Sequence, residues 1–385
     1  MLILNYMAIK LSNLKVYSFF SGAGFLDLGF ETEDFNIVFV NEYNKNFLHA
    51  YQFARKQINI NEPEHGYYQG SIDDLLTGEL SEDLSEKIVH DKFDSYIGFI
   101  GGPPCPDFSI AGKNIGIDGD NGKLTTSYKQ MILKYFPDFF VFENVKGLWT
   151  TKKHREHYDK MKLEFEKSGY LLVDKLINSL EYKVPQDRDR IILFGIKKRF
   201  LDESNRNSEF LKNNFNWGVD EKYSLDNIKK LQWPKKDLYS EDIERDCPKN
   251  IFEDLTIEYW FRKNKVYSHP NAKDCFNPQA IERFNSIREG DSVKKSFKRL
   301  HRWRYSPTVA YGNNEVHLHP YKGRRLSVAE ALSIQSLPAE FVLSDELTLS
   351  DKFKIIGNGV PFLAARAIAH SIKLFLNENT SKERK

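Results

Sequence analysis

One cysteine stands in the loop of this sequence that is best suited to chemistry. The segment GGPPCPDFS, residues 101–109, follows a predicted strand and holds Cys105 between prolines. Prolines stiffen the backbone, and a thiol at the carboxyl end of a central strand lies where α/β enzymes place their reacting groups. A lone cysteine is often a buried structural residue. The flanking Gly-Pro-Pro and Pro-Asp make that interpretation weaker here, so Cys105 is a candidate catalytic residue.

Two further segments place charged side chains beside predicted strands. ENV, residues 143–145, ends a run of Phe and Val. Glu143 therefore lies at the edge of the apolar core, where burial raises the pKa of a carboxyl group and favours its protonated form. In QDRDR, residues 186–190, strand alternation puts Gln186, Arg188 and Arg190 on one side. Two arginines on one side form a clamp for an anion or a carbonyl; a surface ladder of ion pairs is the alternative.

A glycine turn follows the first predicted strand, in FSGAGFLDLGFE, residues 20–31. Gly22 and Gly24 allow a tight turn and a close approach of the backbone to a ligand. Glu42, at the end of the second predicted strand, can accept hydrogen bonds from ribose hydroxyls. Structural turns also carry Gly-x-Gly, and the dinucleotide fingerprint fails because Asp27 replaces its third glycine. The pattern leaves open an adenosine-type cofactor site or a plain turn.

Short apolar runs alternate with helical segments through the first 200 residues, which predicts a parallel sheet covered on both faces. We expect a doubly wound, mostly parallel α/β sheet with a second, smaller domain. The predicted domains are a catalytic and cofactor-binding domain over 1–199, a target-recognition domain over 200–297, and a return segment over 298–385. The predicted strands are 14–20, 36–41, 95–102, 138–145 and 190–196, and the predicted helices are 43–57, 324–338 (ended by Pro338) and 360–376.

Composition excludes several classes of protein. The 385 residues are 41% hydrophobic and carry a formal net charge of +2, which is typical of a globular chain. No apolar run reaches the ~18 residues of a membrane span. The cysteines, Cys105, Cys247 and Cys275, form no CxxC pair, so we expect neither a metal site nor a disulfide framework. We expect a soluble, cytoplasmic protein that does not contact a membrane and has no signal peptide.

The ordered motifs FSGAG, GGPPC, ENV, QDRDR, RRLSVAEALSIQSLP and IGNGV resemble the C5-cytosine DNA methyltransferase family. They cover about residues 1–200 and 298–372, and the stretch between them falls where the family keeps its variable target-recognition domain. The resemblance implies the class I S-adenosylmethionine-dependent fold, with S-adenosyl-L-methionine as cofactor. It also implies base flipping of a cytosine out of duplex DNA, a restriction–modification role and a monomer.

The resemblance also implies the site residues. Cys105 matches the nucleophile, which adds to C6 of cytosine and activates C5 toward the methyl sulfonium. Glu143 matches the acid that contacts N3, and Arg188 and Arg190 match the arginines of the QxRxR motif, with Arg190 placed to stabilise O2. The implied cofactor-binding residues are Phe20, Ser21, Gly22, Ala23, Gly24, Phe25, Glu42, Ile72, Pro104, Leu124, Asn358 and Val360.

Four positions depart from the family pattern. Phe25 replaces the usual second glycine of FxGxGG, and Pro106 replaces a common glutamine after the cysteine. Ser71 stands where an acid usually meets the adenine amino group, and Asp73 is a possible substitute. Ser333 replaces an arginine in the ninth motif. None of them removes a residue that the chemistry requires.

Two basic or glycine-rich segments suit a nucleic-acid substrate. The loop 110–122 carries four glycines and suits closure over a substrate. KKSFKRLHRWR, residues 294–304, interleaves six Lys and Arg with aromatic residues and suits a DNA cleft. The alternatives are methylation of cytosine in tRNA, an inactive nucleic-acid-binding protein and a nicotinamide dehydrogenase. The long variable segment favours DNA, the intact Cys105 and Glu143 disfavour a mere binder, and the failed fingerprint disfavours the dehydrogenase.

Overall fold

The computed structural model describes residues 13–104, 120–201, 203–278, 281–293, 297–309, 311 and 317–379. Seven strands form the central sheet, in the order β3-β2-β1-β4-β5-β8-β6. Strands β3, β2, β1, β4 and β5 pair in parallel, and β8 runs antiparallel to both of its neighbours. The described strands are β1 (Leu14–Phe19), β2 (Asn36–Glu42), β3 (Tyr67–Gln69), β4 (Tyr96–Gly101), β5 (Phe139–Val145), β6 (Tyr170–Asn178), β7 (Gln186–Asp187), β8 (Asp189–Lys197), β9 (Lys298–Arg299), β10 (Ser306–Pro307) and β11 (His317–Leu318).

Helices cover both faces of this sheet. The described α-helices are α1 (Phe25–Glu31), α2 (Lys45–Gln57), α3 (Gly78–Asp91), α4 (Asp120–Tyr135), α5 (Lys146–Thr150), α6 (Lys152–Lys167), α7 (Ser208–Asn214), α8 (Leu225–Lys230), α9 (Ile257–Lys263), α10 (Ile281–Asn285), α11 (Val328–Ile334), α12 (Leu349–Asn358) and α13 (Phe362–Asn379). Alternate residues of each strand point to opposite faces. On β1, Leu14 and Val16 pack with α1, α2 and α13, whereas Tyr17 and Phe19 pack with α3, α4 and α6. The predicted doubly wound, mostly parallel fold is therefore confirmed.

Two predicted helices differ from those observed. The segment predicted as a helix over 324–338 is helical only over Val328–Ile334. Ser327 caps its start, since its hydroxyl accepts from the Glu330 N–H while the Glu330 carboxylate accepts from the Ser327 N–H. The helix ends before Pro338 because Ser336 adopts a left-handed conformation, with φ 57°. The last helix begins at Phe362 and continues to Asn379, slightly beyond the predicted 360–376.

The segment predicted as the recognition domain starts inside the core of the sheet. Phe200, Leu201, Leu211 and Phe215 are buried in the cluster that also contains α13, and α7 packs against β6. After 217 the chain is less regular and forms short helices, and Ile228, Trp233 and Leu255 pack in a small apolar cluster that also includes Leu180 and Tyr305. The described part of 218–293 thus differs in character from the sheet domain.

The stretch Leu349–Asn379 is long and apolar enough to cross a membrane by length and composition. It consists of α12 and α13, separated at Gly359–Pro361, and the apolar residues of α13 pack against the sheet. Such burial is typical of the core helix of a globular domain, so this stretch is weak evidence for a membrane span.

Candidate active site at the carboxyl edge of the sheet

A cavity of about 1120 Å³ opens at the carboxyl ends of β1, β2, β4 and β5. The chain order reverses here, because β1 has β2 on one side and β4 on the other. Ligands of open α/β sheets bind at such a switch point. The structure brings most of the predicted site residues to its walls: Phe20, Ser21, Gly22, Ala23, Phe25, Glu42, Ile72, Pro104, Leu124, Glu143, Arg188, Arg190, Asn358 and Val360.

The glycine turn forms one wall of this cavity. Phe20, Gly22 and Gly24 all have positive φ, at 53°, 58° and 76°. The Gly22 N–H donates to Glu42 Oε2 and the Asn44 N–H donates to Glu42 Oε1, both at 2.8 Å. Glu42 thus ties the turn to the end of β2, and burial raises its pKa. Each carboxylate oxygen keeps acceptor capacity, which is compatible with the predicted contact to ribose hydroxyls.

Gly24 is the member of the predicted set that does not line the described walls. Its carbonyl points away from the cavity and accepts a hydrogen bond from the Arg55 guanidinium at 3.0 Å. Gly24 also caps the N-terminus of α1. A direct contact between Gly24 and the cofactor stays a prediction.

The departures at Ser71 and Phe25 have structural explanations. Ser71 lines the cavity and caps a short 3-10 helix, whereas Asp73 is exposed to solvent and does not line the described walls. Asp73 is therefore not placed to take over the adenine contact. The centroids of the Phe25 and Phe341 rings lie 5.3 Å apart. A Cβ added to Gly359 would lie 2.1 Å from Cδ2 of Phe25. The larger side chain at position 25 is thus accommodated by a glycine opposite.

Glu143 and Arg190 form an ion pair at the end of β5. Arg190 Nε lies 2.8 Å from Glu143 Oε1, and the glutamate side chain is 10% exposed. The other carboxylate oxygen faces Gly102, where a Cβ would lie 2.5 Å from Oε2. Burial raises the pKa of Glu143, and Arg190 and Arg188 oppose the shift. The carboxyl group therefore lies beside the loop that leads to the cysteine, and burial outweighs the arginines so that its pKa is raised.

Arg188 occupies a different environment from Arg190. It is buried and donates to the carbonyls of Gly357 at 3.0 Å and Val309 at 3.2 Å. Its Nε is buried and has no hydrogen-bond partner among the described residues. Burial, together with Arg190, lowers its pKa. Arg188 thus joins three distant segments in the wall of the cavity, while Arg190 pairs with Glu143.

The predicted nucleophile lies outside the described residues. Cys105 and Pro106 belong to 105–119, as does most of the glycine-rich loop 110–122. The chain is described up to Pro103 and Pro104, which line the cavity, and Leu124 of α4 lines it on the return. The role of Cys105 therefore stays a prediction from the sequence.

Other residues of the cavity were not predicted from the sequence. Tyr43 is 75% exposed at the rim, although its position next to Glu42 at the end of β2 offered a signal. Asp27 is fully buried, and burial raises its pKa to about 6. Lys298 and Thr308 also line the wall. Both come from the return segment: Lys298 belongs to the basic stretch 294–304 predicted for the DNA cleft, whereas no local pattern singled out Thr308.

Glu64, His65 and Asp91 lie close enough together to hold a metal ion, away from the cavity. Lys15 already lies between the two carboxylates, with Nζ 2.9 Å from Glu64 and 2.7 Å from Asp91. Its ammonium supplies the positive charge that this group needs, so we assign no metal to it.

Comparisons with known proteins agree with this arrangement. A family model described as C-5 cytosine-specific DNA methylase matches residues 14–374. The Type II methyltransferase M.NmeDI of Neisseria meningitidis serogroup C is 53% identical, with 94% of this chain and 84% of the relative covered. M.FnuDI of Fusobacterium nucleatum is 32% identical, with 95% and 96% covered. The crystal structure of a candidate DNA modification methyltransferase from an E. coli prophage aligns with a TM-score of 0.64 at 22% identity, with 95% and 100% covered.

The family match spans nearly the whole described chain and includes both sides of the cavity. Enzymes of this family and fold are cytosine-C5 methyltransferases that use S-adenosylmethionine. The chain belongs to the C-5 cytosine-specific DNA methylase family.

Proposed function

We propose that this protein transfers a methyl group to C5 of a cytosine that is flipped out of a specific duplex DNA sequence. The observation that carries the proposal is the buried Glu143–Arg190 pair at the carboxyl end of β5, next to β4 and the loop that leads to Cys105. A base must leave the stacked duplex to reach an enclosed acid of this kind.

The residues around the cavity fit S-adenosylmethionine. Ser21 Oγ is buried in the wall and has no hydrogen-bond partner among the described residues, so it is available to a polar ligand. Glu42 offers carboxylate oxygens, and the apolar walls suit an adenine ring: Phe20, Phe25, Ile72, Leu124 and Val360. When bound, the cofactor supplies the methyl group that C5 attacks.

The side chains have separate roles in the proposed mechanism. The Cys105 thiolate forms a bond to C6, and the π electron pair of the C5=C6 double bond shifts toward N3 and O2, which makes C5 nucleophilic. Glu143 gives its proton to N3 as charge develops there, and Arg190 stabilises O2. After C5 has gained the methyl group, a base removes the C5 proton, the C5=C6 double bond re-forms and the C6–S bond breaks to release the thiolate. The N3 proton returns to Glu143, and both residues regain their starting states.

A second cavity, the recognition groove, continues from the first. It has a volume of about 860 Å³ and shares Pro307 with the active-site cavity. Its basic and aromatic lining residues suit a DNA backbone and its bases. They include Lys229, Lys235, Arg304, Trp233 and Tyr305. We infer that the target duplex lies along this groove, so the recognition domain comprises the residues after 217 together with 298–307.

Not every basic residue of 294–304 is free to bind DNA. Arg299 is fully buried and donates to the carbonyls of Phe284, Ile287, His319 and Lys322. Arg302 is buried in an ion pair with Glu289 at 2.8 Å. Arg304 of the same segment lines the recognition groove and is only partly buried.

Substitution of Arg304 by alanine should weaken DNA binding at all sequences alike. Removing one phosphate contact should lower the slope of log K against log salt by about 0.9. Fluorescence anisotropy of a labelled duplex across a salt series measures this slope. Lys167→Ala, at the exposed amino edge of the sheet, is the matched control and should leave it unchanged. Equal slopes for both variants would exclude Arg304 from the interface.

Bisulfite sequencing of DNA from a bacterial host that expresses the protein tests the proposed function. We expect cytosines within one short sequence to resist conversion, and we expect full conversion in a host expressing Cys105→Ala. If cytosines of tRNA resist bisulfite conversion and cytosines of DNA do not, the substrate is RNA and the DNA assignment is wrong.

The similarity to Type II methyltransferases supports a modification role in a restriction–modification system. We propose that the protein acts as a monomer in the cytoplasm. The recognition groove and the active-site cavity lie on the same chain, so one copy carries the described parts of both.

A further inference from the structure

A buried network of charged and polar side chains lies directly behind the glycine turn. Arg55, in the last turn of α2, is 2% exposed and forms its centre. Its guanidinium lies 3.5 Å from the centroid of the Tyr51 ring. It pairs with Glu31 of α1 through Nη2 at 2.9 Å and Nε at 3.2 Å. Such a charge is stable in the interior because it is fully paired.

Arg55 also holds the backbone of the turn. Nη2 donates to the Gly24 carbonyl at 3.0 Å, and Nη1 lies 3.4 Å from the Ala23 carbonyl. A Cβ on Gly24 would lie 2.3 Å from Nη1, so only glycine allows this approach. A rigid planar fork can bind two carbonyls and a carboxylate at once, which a lysine ammonium cannot do in the same geometry.

The network continues to Asp27 in the first turn of α1, which lines the active-site cavity. Its carboxylate accepts hydrogen bonds from the Tyr51 hydroxyl at 3.0 Å and the Ser18 hydroxyl at 2.9 Å. The turn is therefore held from the front by Glu42, through the Gly22 N–H, and from behind by Arg55. Gly22 and Gly24 adopt positive φ without strain but are also the most flexible residues of the chain, so these contacts fix one conformation of the turn.

We propose that Arg55 is a positioning residue for the cofactor: it holds the turn in the conformation that binds S-adenosylmethionine. The inference rests on the assignment of that cofactor to the cavity. Ser21, Gly22 and Ala23 line the cavity, whereas Arg55 does not line its described walls and binds the carbonyls of Ala23 and Gly24. A shift of this segment would alter cofactor binding and leave the Glu143–Arg190 pair in place, because that pair belongs to β5 and β8.

Arg55→Lys and Arg55→Met test the inference. We expect the dissociation constant for S-adenosylmethionine, measured by calorimetry, to rise by at least about tenfold, the loss typical of one hydrogen bond to a charged group. The KM for the cofactor should rise in parallel, while kcat at saturating cofactor should stay within about twofold. Arg55→Lys, which keeps the charge, should recover part of the affinity that Arg55→Met loses.

A matched control separates positioning from stability. Lys197 forms a buried ion pair with Asp138 at 3.1 Å, at the amino edge of the sheet. Lys197→Met should lower the melting temperature and leave cofactor affinity unchanged. Tyr51→Phe keeps the ring under Arg55 and removes the bond to Asp27, so it tests the network if Arg55 variants fail to fold; we expect weaker cofactor binding.

Two outcomes would overturn the proposal in distinguishable ways. If folded Arg55 and Tyr51 variants bind S-adenosylmethionine as tightly as wild type, Arg55 contributes to stability and does not position the cofactor. Wild-type protein that does not bind S-adenosylmethionine would refute the cofactor assignment on which the inference depends.

Discussion

Replacement of Cys105 by alanine should abolish methyl transfer to DNA, because no other residue of the motif set can form the bond to C6. The dissociation constant for S-adenosylmethionine should change by less than about twofold, since the turn and Glu42 that we assign to the cofactor are separate from this loop. Transfer of a radiolabelled methyl group measures the first quantity and calorimetry the second. Activity within tenfold of wild type would exclude the covalent mechanism.

A fluorinated substrate examines the same bond directly. The reaction ends with loss of the hydrogen on C5, and fluorine at that position cannot leave as a cation. Duplex DNA with 5-fluorocytosine at the target should therefore give a complex with the protein that survives a denaturing gel. The complex should require S-adenosylmethionine and should be absent for Cys105→Ala. Trapping by fluorinated tRNA and not by fluorinated duplexes would establish RNA as the substrate.

Replacement of Glu143 by glutamine should lower kcat by roughly 10²-fold or more, because the amide keeps the shape but cannot deliver an acidic proton to N3. Cofactor affinity should barely change. Glu181→Gln is the control: Glu181 also has a pKa raised by burial, but it caps a 3-10 helix and does not line the described walls of the cavity. The Glu181→Gln variant should have the same kcat as the wild-type protein.

The pH dependence of kcat should identify the same residue. Burial raises the pKa of Glu143, and the proposed mechanism uses its protonated form. The rate should therefore fall as pH rises through this raised pKa, and Glu143→Gln should lose that limb of the profile. A wild-type rate that increases continuously with pH through this range would mean that Glu143 acts as a carboxylate and not as an acid.

Local sequence determined the elements that carry the site. Runs such as LKVYSF and FFVFENV are strands because every second side chain can be buried on each face of a sheet. Glycines at 22 and 24 permit the left-handed conformations that the turn adopts. Together with the order of the motifs, these features placed the turn, Glu42 and Glu143 at one edge of the sheet.

Contacts between distant segments determined which partners the arginines of one sequence motif bind. Alternation put Arg188 and Arg190 on one side, yet Arg188 binds the carbonyls of Val309 and Gly357, while Arg190 pairs with Glu143. Arg299 and Arg302 were expected to contact DNA, but both are buried in the structure. Local pattern cannot distinguish such arginines, because the acceptors that bury them come from elements far along the chain.

Packing also bears on where the proposed recognition segment begins. The predicted domain starts at residue 200, but Phe200, Leu211 and Phe215 complete the core beside α13. The role of Asp27 could not be predicted from the sequence either. In the sequence it is only the residue that replaces the third glycine of the dinucleotide fingerprint. In the fold its carboxylate accepts hydrogen bonds from Ser18 and Tyr51 behind the glycine turn. The sequence by itself determined the reaction class and the order of the elements. The tertiary structure decided which charged groups face the ligand and which are bound inside, because burial and partner atoms exist only once distant segments have packed together.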